Sequence, residues 1–183
     1  MSLVKQEVLL WLNSVVIGLN LCPFAGRPTR EHRVRFQVSD SSLEEHVLAD
    51  LIAEMERLDQ TPTAELETTL LILPNALQDF FDYTQFLIWA QSQLKSNGWQ
   101  GVYQLASFHP QYCFAGADPE DDENLTNRSP YPIIHIIREA SLAKAIEYFD
   151  DVEGIPERNK ASVEALSMEQ KKILFPFLFK SAR

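Results

Sequence analysis

Apolar residues recur along this chain with two periods, and the switches between them mark out its elements. Val4, Val8, Trp11, Leu12, Val15, Val16 and Leu19 fall at helical spacing. Leu9, Leu10 and Ile17 fill the remaining sides, so this helix is expected to be well buried. Pro23 ends it at or before Cys22. From Arg33 to Val38 the period becomes two, with Val34, Phe36 and Val38 on one face of a half-buried strand. Ser41 and Glu44 match a capping box ahead of a helix marked by Leu43, Val47, Leu51, Met55 and Leu58. Thr68 to Leu73 is apolar after its threonine pair, which predicts a strand covered on both faces.

Phe80, Phe81, Thr84, Leu87, Ile88 and Leu94 predict the next helix, with Asn97-Gly98 as its C-cap. Val102–Phe108 and Pro132–Ile137 read as the third and fourth strands, the proline being tolerated at a strand start. Leu142, Ile146 and Phe149 mark a helix, and Ile155–Leu166 another. Ser167 to Gln170 boxes a last short helix that Pro176 ends.

Alternating strands and helices imply right-handed crossovers and an α/β fold. The third and fourth strands lack an obvious helix between them, which favours an antiparallel fourth strand. The expected architecture is one domain over residues 1–183. It holds a mixed sheet of about four strands, mostly parallel with an antiparallel fourth, flanked by helices. At this length a chain buries roughly 70% of the surface it would expose unfolded and needs no staples.

Charge narrows the function. Acidic residues outnumber basic ones 26 to 16, for a net charge of −10. No Lys/Arg run is present, and Arg27, Arg30, Arg33 and Arg35 are scattered enough to read as a solvated strand face. Nucleic acid and anionic membranes are therefore disfavoured as partners. Two cysteines make no disulfide framework and suit a cytoplasmic protein with free thiols. Val8–Leu21 is too short to span a bilayer, is interrupted by Asn13, Ser14 and Asn20, and lacks the flanks of a secretory signal.

The chemistry is concentrated between Phe108 and Glu139, in a long polar connection of the kind usually functional or disordered. Ligands of open α/β sheets lie beyond the carboxyl ends of the strands. Those ends carry Ser39-Asp40, Pro74-Asn75 and His109-Pro110, and an antiparallel fourth strand brings Asn127-Arg128-Ser129 to the same edge. His109 suits a general acid or base there, and equally a loop histidine bonded to backbone. Arg128, between an amide and a hydroxyl, suits a carboxylate or phosphate. It equally suits ion pairs with the acidic stretch Asp118–Glu123. His135 alternates with Ile133 and Ile137 and reads more simply as a core residue. Arg138-Glu139, at a strand exit, reads as structural.

Cys22 offers a nucleophile if a histidine serves it. A small buried hydrophobe closing the first helix is the simpler reading, since a helix C-terminus does not favour a thiolate. Cys22, His109, Cys113 and His135 together form a formal Cys2His2 set, but without a C-x-x-C pair they make a poor zinc motif. No Walker loop, G-x-G-x-x-G or G-x-S-x-G occurs.

Three stretches taken together resemble the family numbered 1415 among domains of unknown function. They are Gly18-Leu19-Asn20-Leu21-Cys22-Pro23-Phe24-Ala25, then Ala106–Pro110 with Tyr112 and Phe114-Ala115-Gly116, then Thr126–Pro132 leading to His135, Arg138 and Glu139. The resemblance implies a bacterial-type soluble domain without an established activity. It raises Cys22, His109, Asn127, Arg128, Ser129, Tyr131, His135 and Arg138 as motif positions. The family pattern usually has another residue, often Gln, in the place of Cys113, which counts against the zinc set.

The resulting expectation is an anion-binding small-molecule site with no metal and no cofactor. His109 and Cys22 are its catalytic candidates, for hydrolysis or group transfer. Arg128, Asn127, Ser129, Tyr131, His135 and Arg138 are its ligand contacts. The competing expectation is a non-catalytic binding module that uses the acidic loop 118–123 as its partner surface.

Overall fold

The computed structural model describes residues 2–179; residues 1 and 180–183 of the expected domain lie outside the described residues. Four strands form one sheet: β1 (Val34–Val38), β2 (Thr68–Ile72), β3 (Tyr103–Phe108) and β4 (Ile133–Arg138), in the order β1-β2-β4-β3. β1 and β2 are parallel, while β4 pairs antiparallel with both β2 and β3. The fold is α/β and the fourth strand is antiparallel, but the mostly parallel sheet is not what forms. β4 inserts between β2 and β3, so only one parallel pair remains. Its isoleucine run is the physical reason. Ile133, Ile134 and Ile136 are buried on both faces, which suits a central position in the sheet.

Strand alternation divides the interior in two. α3 (Glu44–Gln60) and α4 (Phe80–Ser96) cover one face, burying Val47, Leu51, Met55, Leu58, Tyr83 and Phe86 against Leu71, Ile134 and Ile136. α1 (Leu3–Trp11) covers the other with Val8, Trp11 and the residues after it, against Leu70, Ile72 and Ile133. Val34, Phe36 and Val38 pack on that same face, as the period-two pattern requires. Every residue of β2 is buried. Truncating any of its Leu or Ile side chains to Ala therefore costs about 2–5 kcal/mol.

The first helix is not α-helical throughout. Leu12–Ile17 winds as a π-helix, with Gly18 N–H donating to Asn13 O at 3.0 Å. Asn13 Nδ2 and Ser14 Oγ donate back to the carbonyls of Leu9 and Leu10, at 2.9 and 2.7 Å. Such back-bonding competes with the regular ladder. A Cβ on Gly18 would stand 2.3 Å from Ser14 O, so only glycine fits where the wide turn ends.

α2 (Gly26–Arg30) is a short helix that the apolar pattern does not announce. Three of the four scattered arginines are held in ion pairs rather than on a simple solvated face. Arg35 Nε meets buried Glu54 at 2.7 Å, Arg33 pairs with Glu31 and Glu67, and Arg27 pairs with Glu31. α5 (Glu139–Glu147), α6 (Ile155–Glu164) and α7 (Met168–Leu174) complete the chain, α7 opening with the expected Ser167–Gln170 capping box. The Ser41–Glu44 box does not form. Leu43 is the N-cap of α3, and Ser41 Oγ instead accepts from Leu43 N–H at 3.1 Å. No helix among the described residues is long and apolar enough to cross a membrane.

Candidate functional site

The antiparallel fourth strand brings both ends of the connection 109–132 to one sheet edge. His109 N–H donates to Asn127 O at 3.2 Å, and Ser129 N–H returns to His109 O at 3.4 Å. The two motifs meet through their backbones, and what their side chains do next is structural. His109 is fully buried. Its Nδ1 accepts Gln111 N–H at 3.0 Å, so the ring proton sits on Nε2, which donates to Leu77 O at 3.0 Å. Leu77 has φ 55°, a left-handed conformation costly for a bulky residue, and this bond holds its carbonyl in place. Phe80 and Tyr83 pack on the imidazole, and burial lowers its pKa. Both nitrogens are engaged and water is excluded, so the acid–base expectation finds no support in this geometry.

Arg128 points into its own loop. Nε donates to Tyr112 O at 3.2 Å and an Nη to Pro119 O at 2.6 Å, while its carbonyl receives Trp11 Nε1–H at 2.9 Å. Desolvation lowers the pKa of its guanidinium. The expected ion pairs with the acidic stretch are replaced by main-chain carbonyls. Asn127 Nδ2 donates to Ser107 O, and buried Ser129 donates to Tyr131 O at 2.5 Å. Tyr131 donates its hydroxyl to Glu7 of α1, and burial pushes its pKa up to about 12. Asn124, which sequence reasoning passed over, is fully buried and bridges Phe114 N–H and Asp118 O. The signal for it was present: a side-chain amide offers a donor and an acceptor from one planar group, which suits bridging an N–H and a carbonyl.

The other candidates lie elsewhere. Cys22 packs on the α1 face of the sheet, whereas the rings around His109 belong to the α3/α4 face, so the two do not form a dyad. Burial raises the Cys22 thiol pKa, although Phe24 and Ala25 N–H groups pull it the other way. His135 sits mid-strand between Leu70 and Ala106. Thr68 spends its proton on Ile136 O at 2.5 Å, leaving its oxygen to accept from His135 Nε2 at 2.7 Å. Burial takes the His135 pKa down to about 4.

Arg138 ends β4 at the far rim, about 17 Å along the strand from Ile133. It donates to Leu58 O and Thr61 O at 2.6 and 2.8 Å and lies 5.9 Å from the Tyr103 ring centre. Among the described residues no group of three or more His, Cys, Asp or Glu is placed to hold a metal ion, and Cys22, His109, Cys113 and His135 do not assemble into one.

The opposite end of the same rim is open. A hollow of about 440 Å³ lies beyond the carboxyl ends of β1 and β2, lined among others by Val4, Lys5, Gln37, Val38, Asp40 and Asn75. Asn75 Nδ2 donates to Asp40 O at 3.2 Å, and Gln37 is tied to Arg35 and Val38 O. Among the described residues the Lys5 ammonium and the Asp40 carboxylate pair neither with each other nor with anything else. The strand ends announce Asp40 and Asn75 in the sequence, but Lys5 carries no sequence signal. It is one polar position on an apolar helix, and only packing aims it at the rim.

A family model described as "Protein of unknown function (DUF1415)" matches residues 3–173. No curated protein and no solved structure matches the chain. With nearly its whole length covered, and with the Cys22, His109 and Asn127–Pro132 motifs in place, the chain belongs to the DUF1415 family.

Proposed function

We propose that this protein is a small-molecule-binding domain whose ligand carries an anionic group and occupies the hollow beyond β1 and β2. The observation that carries this reading is that Lys5, whose ammonium has no partner among the described residues, lines a hollow at the carboxyl edge of the one parallel pair. That edge is where open α/β sheets bind ligands, and the volume falls in the small-molecule range. The first turn of α1 contains no acid, so its dipole adds to the lysine's field in a protein of net charge −10. Neither the imidazole of His109 nor the thiol of Cys22 lines the hollow, which favours binding over hydrolysis or transfer. The acidic-loop alternative is weaker. Asp118 and Asp121 cap the loop's own backbone, and Asp122 and Glu123 are spent on Lys171 and Lys160.

The test is thermal melting with phosphate or acetate at constant ionic strength. A ligand at ten times its Kd raises Tm by about 3–6 °C. The shift is expected to vanish in Lys5→Gln and to persist in the surface control Lys95→Gln. No shift, or one indifferent to Lys5→Gln, overturns the reading.

A further inference from the structure

The hollow holds two charges of opposite sign, and their arrangement narrows the ligand. Lys5 and Asp40 line the same space without pairing with each other. Asp40 is exposed and Lys5 half-buried, so a ligand can reach both charges from solvent. A single bound group of either sign answers only one of them. The amide of Asn75 adds a direction. Its Nδ2 is fixed on Asp40 O, which leaves Oδ1 as an acceptor at the Asp40 end. That end therefore offers a carboxylate and an amide oxygen, the acceptors an ammonium needs. The Lys5 end offers a cation. Val4 and Val38 also line the hollow and supply apolar wall.

We infer that the ligand is a zwitterion. Its carboxylate or other anionic group pairs with Lys5, its ammonium pairs with Asp40 and Asn75 Oδ1, and a short hydrocarbon spacer lies along Val4 and Val38. This rests on the anion-site reading above and names the ligand class for it. Each end of such a molecule neutralises one unpaired charge, so recognition depends on both residues at once. A dicarboxylate meets Asp40 with repulsion, and a diamine meets Lys5 in the same way. The site rejects both by charge rather than by shape.

The experiment is a calorimetric or NMR titration of the full chain with acetate, methylammonium, glycine, 4-aminobutyrate and 6-aminohexanoate at fixed ionic strength. At least one amino acid is expected to bind ten times more tightly than acetate or methylammonium. Asp40→Asn should reduce that amino acid to the affinity of acetate while leaving acetate unchanged. Lys5→Gln should remove both. Both positions are on the surface, and circular dichroism verifies that the variants fold. If acetate binds through Lys5 but no amino acid binds more tightly, or if Asp40→Asn leaves the preference intact, the zwitterion inference fails and the anion site stands. If none of the probes binds, both fail together.

Discussion

The two halves of one sheet rim use polar side chains in opposite ways. At the β3–β4 half, His109, Asn127, Arg128, Ser129 and Asn124 are directed inward, each to a named backbone group or neighbour. At the β1–β2 half, fewer polar residues are present, and two of them, Lys5 and Asp40, have no partner among the described residues. The half richer in functional residue types is the closed one. The difference teaches that a dense polar motif marks a place where a long connection must be held. The backbone of a segment such as 109–132 has no ladder to satisfy it, and side chains do so instead. Availability for a ligand is marked by the reverse, a polar group the fold leaves unused.

The largest expected effect is at the closed half. His109→Ala removes a buried ring and strands Leu77 O and Gln111 N–H, at about 3–4 kcal/mol. Urea denaturation measures it, and a loss under 1 kcal/mol would mean that the imidazole is not holding the turn. Next comes Arg128→Ala, which frees the Tyr112 and Pro119 carbonyls at about 2 kcal/mol. Lys should not restore it, because one ammonium does not reproduce a fork that reaches two carbonyls.

The third prediction is a pH dependence of similar or smaller size. Burial lowers the pKa of His109 and of His135, the latter from an ordinary 6.5 to about 4. As pH falls, the unfolded chain takes up these protons first. Their contribution is therefore complete above about pH 6.5 and is lost on acidification, for His135 down to about pH 4. Between pH 7 and pH 5 the His135 part amounts to about 2 kcal/mol. Urea midpoints across that range should fall in the parent protein and fall less in His135→Gln; equal slopes would contradict the assignment. Smallest is Lys5→Gln at the open half. With no partner among the described residues to lose, it should change stability by less than about 0.5 kcal/mol, or raise it slightly by removing a cation from a helix N-terminus. A larger loss would show that Lys5 holds the fold and would remove the contrast between the halves.

Much of this was legible in the chain because the signals are local. The period-two run at Val34–Val38, the apolar run from Thr68 and the Ser167–Gln170 box follow from the geometry of a single strand or helix turn. The meeting of His109 with the Asn127–Ser129 segment was also legible, since an antiparallel fourth strand requires it. What side chains do once they meet is not local. Whether His109 faces Leu77 or a cavity depends on a turn 32 residues away. The separation of Cys22 from His109 depends on which face of the sheet each element covers.

By itself, then, the sequence determined the strands and most of the helices, the antiparallel β4 and a family membership, because hydrophobic period and motifs are written residue by residue. Tertiary structure alone decided that β4 lies between β2 and β3, that the motif side chains turn inward, and that Lys5 and Asp40 share a hollow without a partner among the described residues. Those outcomes are set by competition among distant partners for the same hydrogen bonds and the same buried space, and no stretch of chain carries both sides of that competition.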